Sequence, residues 1–128
     1  MRIFFLTIVM LLALCSGDAA GGELTRSLTV TATGYTSRPS ETLGDPFLTA
    51  WGHVLKPGIK AIAVSQDLIP LGLTDGTRVR IKGLEGEYLV LDKMPSRWRK
   101  KIDIYFGTDV NKAKQWGVRE VTIFWAAP

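Results

Sequence analysis

The sequence is short of metal and thiol chemistry. It has 128 residues, one cysteine (Cys15) and one histidine (His53). A structural disulfide needs two cysteines, and an ordinary zinc site needs several Cys or His ligands, so neither is available. Apolar runs are also short. The longest, Ile3 to Leu14, is twelve residues with Thr7 as its one polar member. That is too short to span a bilayer as a helix. With Met1-Arg2 before it and Ser16, Gly17, Ala19 and Ala20 after it, the run reads as a secretory signal peptide over 1–19, cleaved after Ala19. Leu14 beside Cys15 argues against lipidation, which wants a small neighbour. No integral membrane segment is expected after cleavage, and the remainder suffices for one small domain, expected to be monomeric.

Acidic residues are the minority: twelve Asp and Glu against sixteen Lys and Arg, a net charge of +4. Outside the cytoplasm a basic protein suits anionic wall polymers or membrane surfaces. Export takes nucleic acid off the list of partners.

The pattern present is one of strands. Leu28 to Tyr35 alternates Leu28, Val30, Ala32 and Gly34 against Thr29, Thr31, Thr33 and Tyr35. Gly34 there signals a bulge or a close backbone approach. Ser37 to Lys60 is long, irregular and broken by Pro and Gly, as functional loops often are. It carries Thr49-Ala50-Trp51-Gly52, in which Trp51 suits either a sugar platform or the core. His53 is a proton carrier or a structural side chain.

Ala61–Val64 reads as a buried strand. Arg78–Lys82 reads as a strand with one basic face after an Asp75-Gly76 turn, and Glu87–Leu91 as the next. Thr108–Gly117 is the one helical segment, with Val110, Ala113 and Trp116 on one face. Val118–Ala126 closes the chain as a strand. Short strands, many turns and one helix predict a small β-barrel.

Chemistry concentrates in Leu91–Gly107, where Asp92 and Asp103 flank a basic loop containing Trp98. Glycosidic bonds are cleaved by paired carboxylates, one held protonated by its surroundings. Asp103, between Ile102 and Ile104, is the expected acid and Asp92 its partner. Loop binding by strand-end aspartates is the plainer alternative. Arg97, Arg99, Lys100 and Lys101 suit either a solvated loop or contact with an anionic polymer.

The run Ala63-Val64-Ser65-Gln66-Asp67-Leu68-Ile69-Pro70-Leu71-Gly72, then Asp92, then Ile102-Asp103-Ile104-Tyr105-Phe106-Gly107, resembles the 3D (Asp-Asp-Asp) domain of membrane-bound lytic transglycosylase A and related cell-wall proteins. The resemblance spans Val30 to Trp125, within a domain drawn at 27–126. It implies a six-stranded double-psi β-barrel, all-β with one short helix before the last strand. It also implies a periplasmic or cell-envelope location and, without metal or other cofactor, cleavage of the MurNAc–GlcNAc β-1,4 bond of peptidoglycan glycan strands. The catalytic acid falls on Asp103, with Asp92 as second catalytic carboxylate. Tyr35, Thr49, Trp51, Gly52, Ser65, Asp67 and Trp98 are the expected substrate-binding residues. Ser65 stands where the family has its first aspartate, with Asp67 two residues on, and Lys93 to Trp98 replaces a Thr-Gly-Gly loop. A non-catalytic, expansin-like module that binds peptidoglycan is the alternative.

Overall fold

The computed structural model describes residues 23–38 and 44–127. The expected leader over 1–19 and Cys15 lie outside the described residues. Six strands form the domain: β1 (Arg26–Tyr35), β2 (Ala61–Val64), β3 (Arg78–Ile81), β4 (Tyr88–Lys93), β5 (Lys101–Tyr105) and β6 (Arg119–Trp125). A 3-10 turn (Gln66–Leu71) follows β2, and helix α1 (Val110–Trp116) precedes β6.

The strands close into a barrel in the order β1-β5-β2-β4-β3-β6. The pairs β1/β5 and β2/β4 are parallel, and the other four pairs are antiparallel. This is the expected six-stranded double-psi barrel with one short helix before its last strand. Exchanging β1, β2 and β3 for β4, β5 and β6 leaves the neighbour order unchanged, so the two halves are related by a pseudo-twofold through the β2/β5 pair.

Strand alternation fills the barrel. Val30, Ala32, Ile62, Val64, Ile102, Ile104, Ile123 and Trp125 point inward and are buried. Leu68 and Leu73 pack onto the same core from the connection after β2. Burying an aliphatic side chain of this size contributes roughly 1.5–3 kcal/mol, so the interior carries most of the stability. A second, smaller cluster lies on the outer wall. There Leu55 and Ile59 of the long loop pack on Ala61, Leu91, Tyr105, Tyr35 and Leu89. The part of that loop around Leu55 and Ile59 thus lies against the wall formed by β1, β5, β2 and β4.

The helix starts and stops as its sequence directs. Asp109 Oδ1 accepts the Lys112 amide at 3.0 Å, and Gly117, at φ 68°, ends it. Trp116 faces the core and donates its indole N–H to the Ala32 carbonyl at 3.1 Å. Gly34 is the close approach that its place in β1 signals. A β-carbon there would stand 2.7 Å from Phe106 Cε2 and 3.4 Å from the Ala113 backbone.

Gly34→Ala should therefore cost roughly 1–3 kcal/mol through overpacking, read from urea denaturation. Phe106→Leu in the same chain should recover part of the loss. An unchanged midpoint in the single variant would contradict the close-packing account.

Candidate functional site

A row of four residues crosses adjacent strands on the outer wall. Thr33 of β1 pairs with Asp103 of β5, Asp103 pairs with Ala63 of β2, and Ala63 pairs with Asp92 of β4. Strand neighbours lie about 4.8 Å apart, so two steps put the aspartate backbones roughly 10 Å apart. Ala63 has only a methyl group between them, which leaves the space above it open.

The place of Asp92 in this row depends on an irregularity. Ile62 pairs with Val90, but Ala63 pairs with Asp92, so Leu91 is the extra residue of a bulge. Val90 points into the barrel and Leu91 packs in the outer cluster. Uninterrupted alternation would send Asp92 inward again. The bulge turns it outward beside Asp103, as bulges near functional sites often do.

Both carboxylates line one cleft of about 490 Å³ with Tyr35, Ala63, Lys93, Arg97, Trp98 and Lys101. Leu48 and Leu55 of the long loop form part of its wall. Asp103 is half-buried, and its Oδ1 accepts a hydrogen bond from the Thr33 hydroxyl at 2.8 Å. Ile102 and Ile104, whose apolarity singled it out in the sequence, point the other way into the barrel. The surroundings of Asp103 come instead from neighbouring strands.

Asp92 Oδ1 accepts the amides of Ala50 at 2.8 Å and Lys93 at 2.9 Å. Burial pushes its pKa up, and these two amides and His53 offset only part of that effect. Tyr35 lies in the same cleft, its ring 5.3 Å from that of Tyr105. Burial, reinforced by the charges of Asp92 and Asp103, pushes its hydroxyl well up, so it remains protonated.

The other expected residues divide into two groups. Thr49 and Gly52 build a short hairpin beside the cleft. Leu48 bridges Val54, Thr49 N donates to the His53 carbonyl at 2.8 Å, and Gly52 turns the chain at φ 87°. That hairpin delivers the Ala50 amide to Asp92. His53 Nε2 in turn contacts Asp75 Oδ1 at 2.7 Å, tying the hairpin to the turn before β3. Trp51 packs against the barrel core.

Ser65 and Asp67 are outside the lining of the cleft and hold the basic loop. Ser65, fully buried, accepts the Lys101 amide on Oγ at 3.0 Å. Asp67 Oδ2 accepts the Lys100 amide at 3.0 Å. Burial acts to raise the Asp67 pKa, but the Ser65 hydroxyl, backbone amides including that of Lys100, and the Arg99 charge together lower it. Lys100 has a positive φ of 46°, a costly conformation for a residue with a β-carbon, sustained here by these contacts. Trp98 carries Lys101 Nζ 3.5 Å from its ring centroid and the Arg97 guanidinium at 5.1 Å. It stands in the cleft wall as a cation-bearing surface.

Two contributors had no clear signal in the sequence. Thr33 was one of three threonines that share a β1 face with Tyr35, and Ala63 was an ordinary strand residue. Their roles come from cross-strand register. Among the described residues, no group of three or more His, Cys, Asp or Glu side chains is arranged to hold a metal ion.

No protein-family model matches the chain, and no curated protein matches it. Among solved structures, the chain is similar to the Streptomyces papain inhibitor, with a TM-score of 0.55 and 20% sequence identity. The match covers 80% of this chain and 96% of that one. At this identity the likeness is one of fold.

The Asp92 shift has a definite sign. Its folded pKa lies above the ordinary carboxylate value of 3.8. Asp92 therefore supports the fold fully below that value, and the support is lost as pH rises through the raised pKa. Asp92→Asn keeps an oxygen for the two amides and removes the buried charge. Thermal melts should show the variant more stable than the parent at about pH 8, with the advantage fading toward about pH 4. A variant destabilised at every pH would contradict this account.

Proposed function

We propose that the protein is an exported peptidoglycan-active enzyme, a lytic transglycosylase cleaving the MurNAc–GlcNAc β-1,4 bond. The observation that carries the reading is the row Thr33–Asp103–Ala63–Asp92, which opens two carboxylates onto one cleft. The resemblance to the 3D domain supplies the substrate and gives Asp103 the acid's role.

In this reading Asp103 protonates the bridging oxygen as the bond from that oxygen to MurNAc C1 breaks. The C6 hydroxyl of the same MurNAc then bonds to C1 and returns its proton to Asp103. A 1,6-anhydro end and a free GlcNAc hydroxyl result, and the enzyme regains its starting state. Asp92 acts beside it. With Oδ1 engaged by two amides, its neutral form offers Oδ2–H to a sugar oxygen, as a desolvated carboxylic acid can. The raised Asp92 pKa keeps that form present to higher pH than an ordinary aspartate would. Activity should accordingly fall on the alkaline side. Lys93, Arg97 and Lys101 line the same cleft and suit the carboxylates carried by MurNAc and its peptides.

The test is product analysis. Mature protein incubated with purified sacculi should release soluble muropeptides with 1,6-anhydro ends, detected by mass spectrometry. Asp103→Asn should lower release by about a thousandfold or more, as expected for removal of an acid–base group, with an unchanged melting temperature. Full activity in that folded variant would refute the assignment. Sacculus binding without products would leave the non-catalytic module.

A second reading, protease inhibition, draws on one different feature. The hairpin bridged at Leu48 and Val54 projects two large apolar side chains, 52% and 62% exposed, and the related fold belongs to a papain inhibitor. Stoichiometric loss of papain activity, relieved by Leu48→Ser with Val54→Ser, would support it.

A further inference from the structure

Asp92 is held by a ring of contacts that closes on itself. Its Oδ1 accepts the Ala50 amide at 2.8 Å. Ala50 belongs to the hairpin over 47–55, which is fixed internally. Thr49 N donates to the His53 carbonyl at 2.8 Å, and His53 N donates to Thr49 Oγ1 at 3.0 Å. From the hairpin the His53 ring reaches across to the turn before β3, with Nε2 2.7 Å from Asp75 Oδ1. The next residue of that turn, Gly76, donates its amide to the Val90 carbonyl at 2.7 Å. Val90 lies on β4, two residues before Asp92. Between them is Leu91, the bulged residue that turns Asp92 outward. The ring therefore spans the bulge.

The pair in the middle of the ring has no other evident task. The His53 and Asp75 side chains are 39% and 47% exposed, and ion pairs of that exposure contribute little to stability. Neither residue lines the cleft. What the pair joins is two segments, distant in sequence, that grip the chain on either side of Leu91. A bulge interrupts the ladder, and a one-residue slip there would return the Asp92 side chain to the inner face. A tie across the bulge opposes that slip. The His53 charge also lies close enough to Asp92 to draw its pKa down. The hairpin thus acts on Asp92 twice, through an amide and through a charge.

We propose that His53 and Asp75 form a strap that fixes the Leu91 bulge, and with it the outward direction of Asp92, from outside the cleft. Both are positioning residues that act through the Ala50 amide and the Val90 carbonyl. The functional consequence rests on the glycan reading, in which Asp92 works beside Asp103, whereas the strap itself is measured on the protein alone. The strap also sets one wall of the cleft, since Leu48 and Leu55 of the same hairpin line it.

Asp75→Ala cuts the strap in the mature protein. Two readouts follow it: the Asp92 carboxyl pKa from carbon-detected NMR titration, and hydrogen exchange of the Ala50 amide. Direct charge and the strap predict opposite signs. Deleting a nearby negative charge would by itself lower the Asp92 pKa. Releasing the hairpin takes the Ala50 amide from the charged carboxylate and raises that pKa by about one unit. The strap predicts the rise, together with Ala50 exchange faster by about tenfold and a melting temperature close to the parent's. His53→Ala cuts the other end and should speed Ala50 exchange to the same degree. An Asp92 pKa that falls or holds in Asp75→Ala, or an Ala50 amide still protected in either variant, would overturn the inference. Neither readout uses a glycan, so that result would leave the proposed activity standing. The predicted shifts in a protein that releases nothing from sacculi would uphold the strap and count against the activity alone.

Discussion

The structure depends on closing a six-stranded barrel whose interior admits only apolar side chains. Because side chains alternate along each strand, filling the inside with Val30, Ile62, Val64, Ile102, Ile104 and Ile123 assigns the intervening residues to the outside. Polar chemistry can then sit only on the outer wall, and the register between strands decides which polar groups meet. Thr33, Asp103 and Ala63 fall into one row from this rule alone. Asp92 joins the row because Leu91 is bulged, breaking the alternation at the one place where it would have buried a carboxylate in the core.

The outer wall is not left as open surface. The long loop covers it with a small apolar cluster and brings the Ala50 amide to Asp92. On the other side, Ser65 and Asp67 hold the basic loop through the amides of Lys101 and Lys100. The cleft is therefore bounded by two segments, each anchored by specific hydrogen bonds. Its unfavourable features lie close together: Asp92 with a raised pKa, the unpaired Tyr35 hydroxyl and the left-handed Lys100 at its edge. Each of these costs could be relieved by a simple substitution, and their gathering around one cleft accords with the proposed binding site.

Much of the fold was legible in the sequence because period-2 alternation is a local signal. The β1 pattern and the basic outer face of β3 follow from it, and the helix with Trp116 turned inward follows from its cap residues and its three-residue apolar spacing. Asp103 and Asp92 stood out as carboxylates set at strand-like runs. Ile102 and Ile104 do not surround Asp103 in three dimensions, because flanking strand residues face the opposite side. The bulge at Leu91 was not legible, since it is defined by pairing with β2 and leaves no distinctive residue of its own. The positions of Ser65 and Asp67 beneath the basic loop, and of Trp51 against the core, depend likewise on which segments meet in space.

The central claim is that the outer-wall row is where a glycan strand binds. Backbone chemical-shift mapping tests it directly, using isotope-labelled mature protein titrated with a soluble, uncrosslinked GlcNAc–MurNAc strand. The account predicts saturable shifts centred on Thr33, Tyr35, Ala63, Asp92 and Asp103 and extending to Trp98 and Lys101. Shifts confined to the Leu48–Val54 hairpin or to the far side of the barrel, or no shifts at all, would contradict it.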